Sequence, residues 1–337
     1  MKRFLKAHHY SLLLVVKREW NNWITTYKII AYFFDICKSW YNVYGDFMEL
    51  INIKGNTYCI KNATNIGIYK ISDNEVYLID TGNDKECGKK ILRIIEEQGW
   101  SIKGIINTHS HADHIGGNKF IQDRTNCIIL NNGTENDITN HPIFEPTCLY
   151  GGYPLNELKN KFILASESHS TLIDNNLPGG LESFSLSGHS LDMIGIKTSD
   201  EVYFIGDAIC DENIINKYHL FFLVDVLGYL NTLEYLRSLK GIFVPSNGEI
   251  SSNIDNFINI NKNKVIEITN IIYQYLNVQK TLEDIIKHIF DYYQIHMNIN
   301  QYYLLSFVIR SYLTYLVNEN KITYSFIDNI MYYQKKE

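Results

Sequence analysis

The stretch Thr108-His109-Ser110-His111-Ala112-Asp113-His114 puts three imidazoles and a carboxylate within six residues. Imidazole nitrogens and carboxylate oxygens are ligands for zinc, and also for iron or manganese. On an extended chain, alternation sets His109 and His111 on one side. Asp113 and His114 then turn in from the loop, and Ile115-Gly116-Gly117 allows close backbone approach before the next helix. A cluster of desolvated histidines without a partner would be expensive, so this segment is expected to bind metal.

The flanking elements must present that loop. Val76 to Asp80 is an apolar strand ending at Asp80-Thr81-Gly82. A helix follows from about Asp84 to Gln98, with Cys87, Ile91, Ile94 and Ile95 on one face and Gly99 as its stop. Ile102 to Asn107 then reads as a short buried strand leading straight into His109. Strand, helix, strand in this order implies an α/β architecture with helices over a sheet.

His-x-His-x-Asp-His after a strand resembles the signature of the metallo-β-lactamase superfamily. Further stations of that family follow in order: Asp80-Thr81-Gly82, Gly188-His189-Ser190 after the strand Leu181 to Leu186, Phe204-Ile205-Gly206-Asp207, and Phe243 to Gly248. The resemblance spans roughly Met48 to Glu249. It implies a four-layer αββα sandwich in which His109, His111 and His189 hold one metal. Asp113 and His114 contribute to a second metal, and Asp207 bridges the pair. Two metals about 3.5–4 Å apart can trap a water and lower its pKa, delivering hydroxide to a carbonyl. Asp113, where it contacts that water, can orient it and accept its proton. Thr108, Ser110 and Asp80 are candidates for orienting the ligands, or are ordinary turn chemistry.

One position departs from the pattern. The family has histidine in the last motif, where this chain has Asn247 between Ser246 and Gly248. An amide oxygen is a poorer zinc ligand than neutral imidazole. Three readings stay open: two zinc ions with a weak second site, a single iron or manganese as in the family's iron-dependent persulfide dioxygenases, or a degenerate member that binds metal without turnover.

Between the first metal loop and His189 lies a long insert centred on Cys148-Leu149-Tyr150-Gly151-Gly152-Tyr153-Pro154. It reads as an irregular loop. Tyr150 and Tyr153 are candidates for a substrate wall or an oxyanion donor, against the alternative of a packed turn. His141 and His169 are expected at the surface, and His219 is a weaker pocket candidate.

From Ser252 onward the chain reads as helices. One covers Val265 to Leu276, a second opens at the capping box Thr281-Leu-Glu-Asp284, and a third runs from Asn298 to Val317. A strand pair around the Asp328-Asn329 turn follows. Helices and then a hairpin look like a winged-helix appendage. Its third helix carries Arg310 as its one basic residue, so it lacks the Lys/Arg stripe a phosphate backbone demands. It is read as a packing, pocket-closing or dimerisation module.

The remaining sequence sets limits. Of 337 residues, 45% are hydrophobic and 20% charged, with a net charge of −6, which fits a folded chain and argues against a dedicated nucleic-acid binder. Six cysteines without a C-x-x-C pair suggest reduced, buried thiols and a cytoplasmic protein. No apolar run is long enough for a membrane span or signal peptide.

Residues 1–47 differ in character and hold three of the four tryptophans. An AT-rich gene can encode Tyr44 to Met48 with GGAG just before ATG, a bacterial ribosome-binding site. Residues 1–47 are therefore expected to be an over-extended reading frame, or else a genuine helical extension. Residues 48–250 would form the catalytic domain and 251–337 a helical C-terminal domain.

The expected function is a metal-dependent hydrolase using a metal-bound hydroxide on a small ester, thioester or lactone. A glyoxalase II type thioesterase fits the helical tail but not the missing basic pattern for glutathione. A β-lactam hydrolase is disfavoured by the Asp113-His114 pair.

Overall fold

Two facing sheets carry the residues singled out above. The structure is a computed structural model, and it describes residues 48–174 and 176–336; the expectation for residues 1–47 lies outside them. The first sheet begins with β1 (Glu49–Lys54), β2 (Thr57–Lys61), β3 (Ile66–Lys70) and β4 (Glu75–Ile79), each antiparallel to the next. Helix α1 (Lys85–Glu97) crosses over to β5 (Ser101–Ile106), which runs parallel to β4. Asp84 caps α1 by accepting from the Cys87 amide at 3.0 Å, and Cys87, Ile91, Ile94 and Ile95 form its buried face. The predicted strand, helix and strand are therefore present, with ends within a residue or so of those expected.

After the metal-loop candidate come the single turn α2 (Ala112–Ile115), α3 (Asn118–Thr125) and β6 (Ile128–Asn131). α4 (Gly133–Asn140), α5 (Phe144–Tyr150) and the short edge strand β7 (Thr171–Leu172) complete this half, and the sheet order is β1 through β7 in sequence. β3 and β4 are buried almost end to end, as strands covered on both faces must be.

The second sheet is built from β8 (Leu181–Ser185), β9 (Ile194–Thr198) and β10 (Val202–Phe204). After α6 (Glu212–Tyr218) and α7 (Val226–Ser238) it closes with β11 (Ile242–Val244), parallel to β10. Between the sheets, Ile79, Ile106 and Leu130 from the first meet Ile194, Ile196, Phe204 and Val244 from the second. They approach so closely at β3 that a Cβ on Gly67 would lie 2.5 Å from the Phe204 ring.

The outer face of the second sheet is covered by α7 and by three C-terminal helices, α8 (Asp255–Tyr275), α9 (Leu282–Tyr293) and α10 (Ile299–Asn318). The result is the expected helix–sheet–sheet–helix sandwich. One apolar cluster runs without a break from Leu186 and Tyr229 to Val308, Tyr312 and Ile322, so the C-terminal helices share a core with the sandwich. Thr281 and Asp284 make the reciprocal capping box that opens α9. α8 starts about ten residues earlier than its periodicity suggests. The chain then pairs β12 (Ile322–Ile327) with β13 (Ile330–Lys335) as an antiparallel hairpin.

Two expectations are corrected here. Cys148 to Tyr150 is not irregular: it is the end of α5, and Gly151 is its left-handed cap with φ 78°. Cys59, Cys87, Cys127 and Cys210 are buried free thiols, but Cys148 is exposed. Among the described residues, no helix is long and apolar enough to cross a membrane.

Candidate metal centre

Strand ends and tight turns at one end of the sandwich deliver every residue of the site. β4 ends at Asp80, β5 runs into His109, the β8–β9 turn carries His189, β10 ends at Gly206-Asp207 and β11 leads to Asn247. Gly188 has φ +125°, and a Cβ there would lie 2.3 Å from the Tyr229 amide nitrogen. Glycine is therefore required for the turn that aims His189 inward.

Three imidazoles converge. His109 Nε2 and His189 Nε2 each lie 3.0 Å from His111 Nδ1. His189 Nδ1 donates to the Phe222 carbonyl at 2.9 Å, which leaves the Nε2 lone pair facing the other two rings. A second group joins His109, His114 and Asp207. His114 Nε2 sits 3.5 Å from Asp207 Oδ1 and 3.8 Å from Asp113 Oδ2, and Asp207 Oδ2 lies 3.5 Å from His189 Nε2. Each group has its ligand atoms close enough to hold one ion.

Asp80 stands behind the loop. Its φ is +63°, a strained value for a residue with a side chain. Its carboxylate accepts from the Thr108 amide and hydroxyl, both at 2.8 Å, and pairs with His114 Nδ1 at 2.8 Å. Those bonds hold the strained turn and set the His114 ring, whose Nε2 is buried without a partner.

An orphaned buried nitrogen costs about 1–3 kcal/mol, and a cation coordinated by His114 and Asp207 would satisfy it. The donor set of imidazole and carboxylate suits zinc, iron or manganese, so the residues present fit a metal.

Electrostatics point the same way for the first group. Burial, reinforced by the neighbouring imidazoles, pushes His109 and His111 well below the usual histidine range, and burial lowers His189 as well. All three are thus held neutral, as ligands must be. Burial also opposes charge on His114, but Asp113, Asp207 and Asp80 outweigh it and hold its pKa well above normal. Burial opposes charge on Asp207, but the charge and hydrogen bond of His114 outweigh it and hold its carboxyl low.

The family model of the metallo-beta-lactamase superfamily matches residues 60–242, more than half of the chain and every residue of the two groups. The chain belongs to the metallo-beta-lactamase superfamily. Among curated proteins it is similar to the hydroxyacylglutathione hydrolase of Rhodospirillum rubrum, 40% identical over 67 residues, which are 18% of this chain and 26% of that protein. The same enzyme from Methylococcus capsulatus is 31% identical over 67 residues, again 18% of this chain and 26% of the relative. The match thus spans about a quarter of those relatives' length.

Two solved superfamily structures share the fold. One is a beta-lactamase domain protein from Burkholderia ambifaria, with a TM-score of 0.60 and 13% identity, covering 86% of this chain and 94% of that one. The other is a metallo-beta-lactamase family protein from Thermus thermophilus, with a TM-score of 0.61 and 15% identity, covering 86% and 98%.

The site also holds residues the sequence did not single out. Glu135, buried at the start of α4, accepts from the Ser110 amide at 2.9 Å, from the Ser110 hydroxyl, and from the Asp192 amide at 3.1 Å. It ties the loop of His109 and His111 to the loop of His189. Glu145 on α5 lies 4.0 Å from His111 Nε2. Burial, then Asp113 and Glu135, hold its carboxyl well above the usual range.

Asn247 does reach the site, but with its amide nitrogen 3.3 Å from Asp207 Oδ1. Tyr150 and Tyr153 are not brought to the cleft. Tyr150 packs against Tyr303 at 5.1 Å, and Tyr153 is 78% exposed beneath Lys159. The cleft of about 240 Å³ over the metal groups is walled instead by Phe162, Tyr218, Phe222 and Leu304. His141 and His169 are exposed as expected. His219 stacks on Tyr293 and lines a neighbouring cavity.

Proposed function

We propose that this chain is a metal-dependent hydrolase of a small ester, thioester or lactone, with a thioester the first choice. The observation that carries the reading is the convergence of three neutral imidazoles at 3.0 Å beside a second group that ends in the orphaned His114 Nε2. The similarity to hydroxyacylglutathione hydrolases over the matched stretch supports a thioester.

His109, His111 and His189 would hold one ion, and Asp113, His114 and Asp207 a second, with Asp207 facing both. Metal bound there supplies an acidified water and polarises an acyl carbonyl. In the reaction, water adds to the acyl carbon, the C–S or C–O bond breaks, and a proton passes to the departing sulfur or oxygen. Asp113, 44% exposed at its side chain and facing the cleft, is placed to orient that water and take up its proton. Asp80 and Thr108 fix His114, the Phe222 carbonyl fixes His189, and Glu135 sets the spacing of the two loops. The C-terminal helix α10 closes one side of the cleft through Leu304.

Asn247 favours a weaker second site, because its amide hydrogens face Asp207 where a ligand lone pair would be required. The same observation supports a second reading, a single-iron oxygenase of the persulfide dioxygenase type held by His109, His189 and Asp207. A member without turnover is the third.

Metal analysis of protein purified without added metal separates them. Two zinc ions per chain support hydrolysis, one iron supports the oxygenase, and none supports a degenerate member. Zinc-loaded protein that turns over no member of a panel of thioesters, esters and lactones would overturn the hydrolase reading.

A further inference from the structure

Beside the cleft, on the far side of His111, lies a second cavity of about 260 Å³. Its wall is drawn from five parts of the chain: Ile138 of α4, Leu149 of α5, Leu191 of the loop after His189, Val224 of the loop before α7, and Phe307 of α10. His111, Glu145 and Phe222 line both this cavity and the cleft over the metal groups, so the two spaces adjoin at the reactive centre. Phe222 is the shared wall. Its ring stacks on Phe307 at 5.2 Å with 12° between planes, and it stands edge-on to His111 at 5.0 Å.

Most polar groups of this cavity are spoken for or sit at its metal end; the Ser190 hydroxyl, buried without a partner, is the exception. Both carboxylate oxygens of Glu135 are occupied by the Ser110 and Asp192 donors, and Glu145 faces His111. Apart from Cys148 and Ser190, the walls beyond them are aliphatic and aromatic. Leu191, 56% exposed, stands at the rim as a large apolar side chain in water. Another cavity, of about 490 Å³, also borders Phe222 and mixes Lys217, His219, Gln294 and Gln301 with apolar side chains such as Leu305 and Val308. The two sides of the centre thus differ in polarity.

We infer that the cavity bounded by Ile138, Leu149, Leu191, Val224 and Phe307 is the acyl pocket, and that it selects a longer straight aliphatic acyl chain over a short one. This rests on the hydrolase reading for its catalytic consequence, but not for the binding itself. A chain entering past His111 would exchange water for Leu, Ile, Val and Phe side chains, and each methylene buried tightens binding about fourfold. The remainder of the substrate then faces the polar side of Phe222.

The test uses the full chain loaded with zinc and two readouts. The first is kcat/KM for acetyl, butanoyl, hexanoyl and octanoyl thioesters of one thiol. It is expected to rise about tenfold or more between acetyl and hexanoyl. Leu191→Asp, at an exposed position, and Phe307→Ala should each collapse the hexanoyl-to-acetyl ratio towards one. The second is calorimetric titration with acetate and with hexanoate. Hexanoate should bind about tenfold tighter or better, and Leu191→Asp should remove the difference. If no thioester is turned over but hexanoate keeps its Leu191-dependent advantage, the pocket stands and the hydrolase reading falls. A kcat/KM independent of chain length, together with equal binding of acetate and hexanoate, would overturn the pocket.

Discussion

Asp80 Oδ2 lies 2.8 Å from His114 Nδ1, and that contact decides which nitrogen of His114 faces Asp207. The pair joins the end of β4 to the loop after β5, so a strand end of the sandwich orients a candidate metal ligand. Asp80 has φ +63°, and asparagine tolerates the same backbone region. Asp80→Asn should therefore keep the turn but lose the charge, and lower zinc affinity about 10–100-fold. Competition against a chromophoric chelator measures this, and an unchanged affinity would remove Asp80 from the account.

Glu135 links two ligand loops that are distant in sequence. Glu135→Ala would leave the Ser110 and Asp192 amides without partners in a buried place, at a cost of about 1–3 kcal/mol. A lower melting temperature is expected for the metal-free protein. Zinc affinity should fall as well, because the spacing of His111 from His189 is no longer fixed. A loss of stability with full retention of zinc affinity would make Glu135 a fold residue alone.

These two carboxylates show how unevenly the sequence can be read. The spacing of His109, His111, Asp113 and His114 is local, so the cluster is visible in a single line of text. The strand–helix–strand frame was visible for the same reason: apolar periodicity and a Gly stop are short-range signals. Glu135, Glu145 and Phe222 carry no such mark, because tertiary packing alone brings them to the site. The segment around Tyr150 misled in the opposite way. Gly151 and Gly152 read as loop, yet Gly151 ends a helix in the left-handed conformation, and Pro146 sits in that helix's first turn, where proline is tolerated. The tyrosines left exposed or packed by that geometry do not wall the cleft; Phe162, Phe222 and Leu304 do.

Asn247 reaches the site with an amide nitrogen towards Asp207 at 3.3 Å. Asn247→His should supply a lone pair to the second group. Metal content per chain, or the affinity of the weaker ion, should rise, and plasma emission spectrometry with zinc titration reads both. No change in either would place Asn247 outside the metal shell.

Glu145 offers a pH prediction. Burial, Asp113 and Glu135 raise its pKa in the folded state well above the ordinary value near 4.3. The folded chain then binds more protons than the unfolded one at intermediate pH, so this residue's contribution falls as pH rises from about 4.3 through the raised value. In metal-free protein, Glu145→Gln should be more stable than the parent at neutral pH, and the gap should close towards pH 4. Thermal melts at several pH values check this; a gap that is constant with pH would contradict it.

The central claim is that catalysis depends on metal held by His109, His111, His189, His114 and Asp207. The most direct measurement is the hydrolysis rate of a thioester by chelator-stripped protein as zinc is added back. The account predicts almost no rate without metal and recovery that saturates with occupancy of the site. A stripped protein that hydrolyses as fast as the metal-loaded one would contradict it.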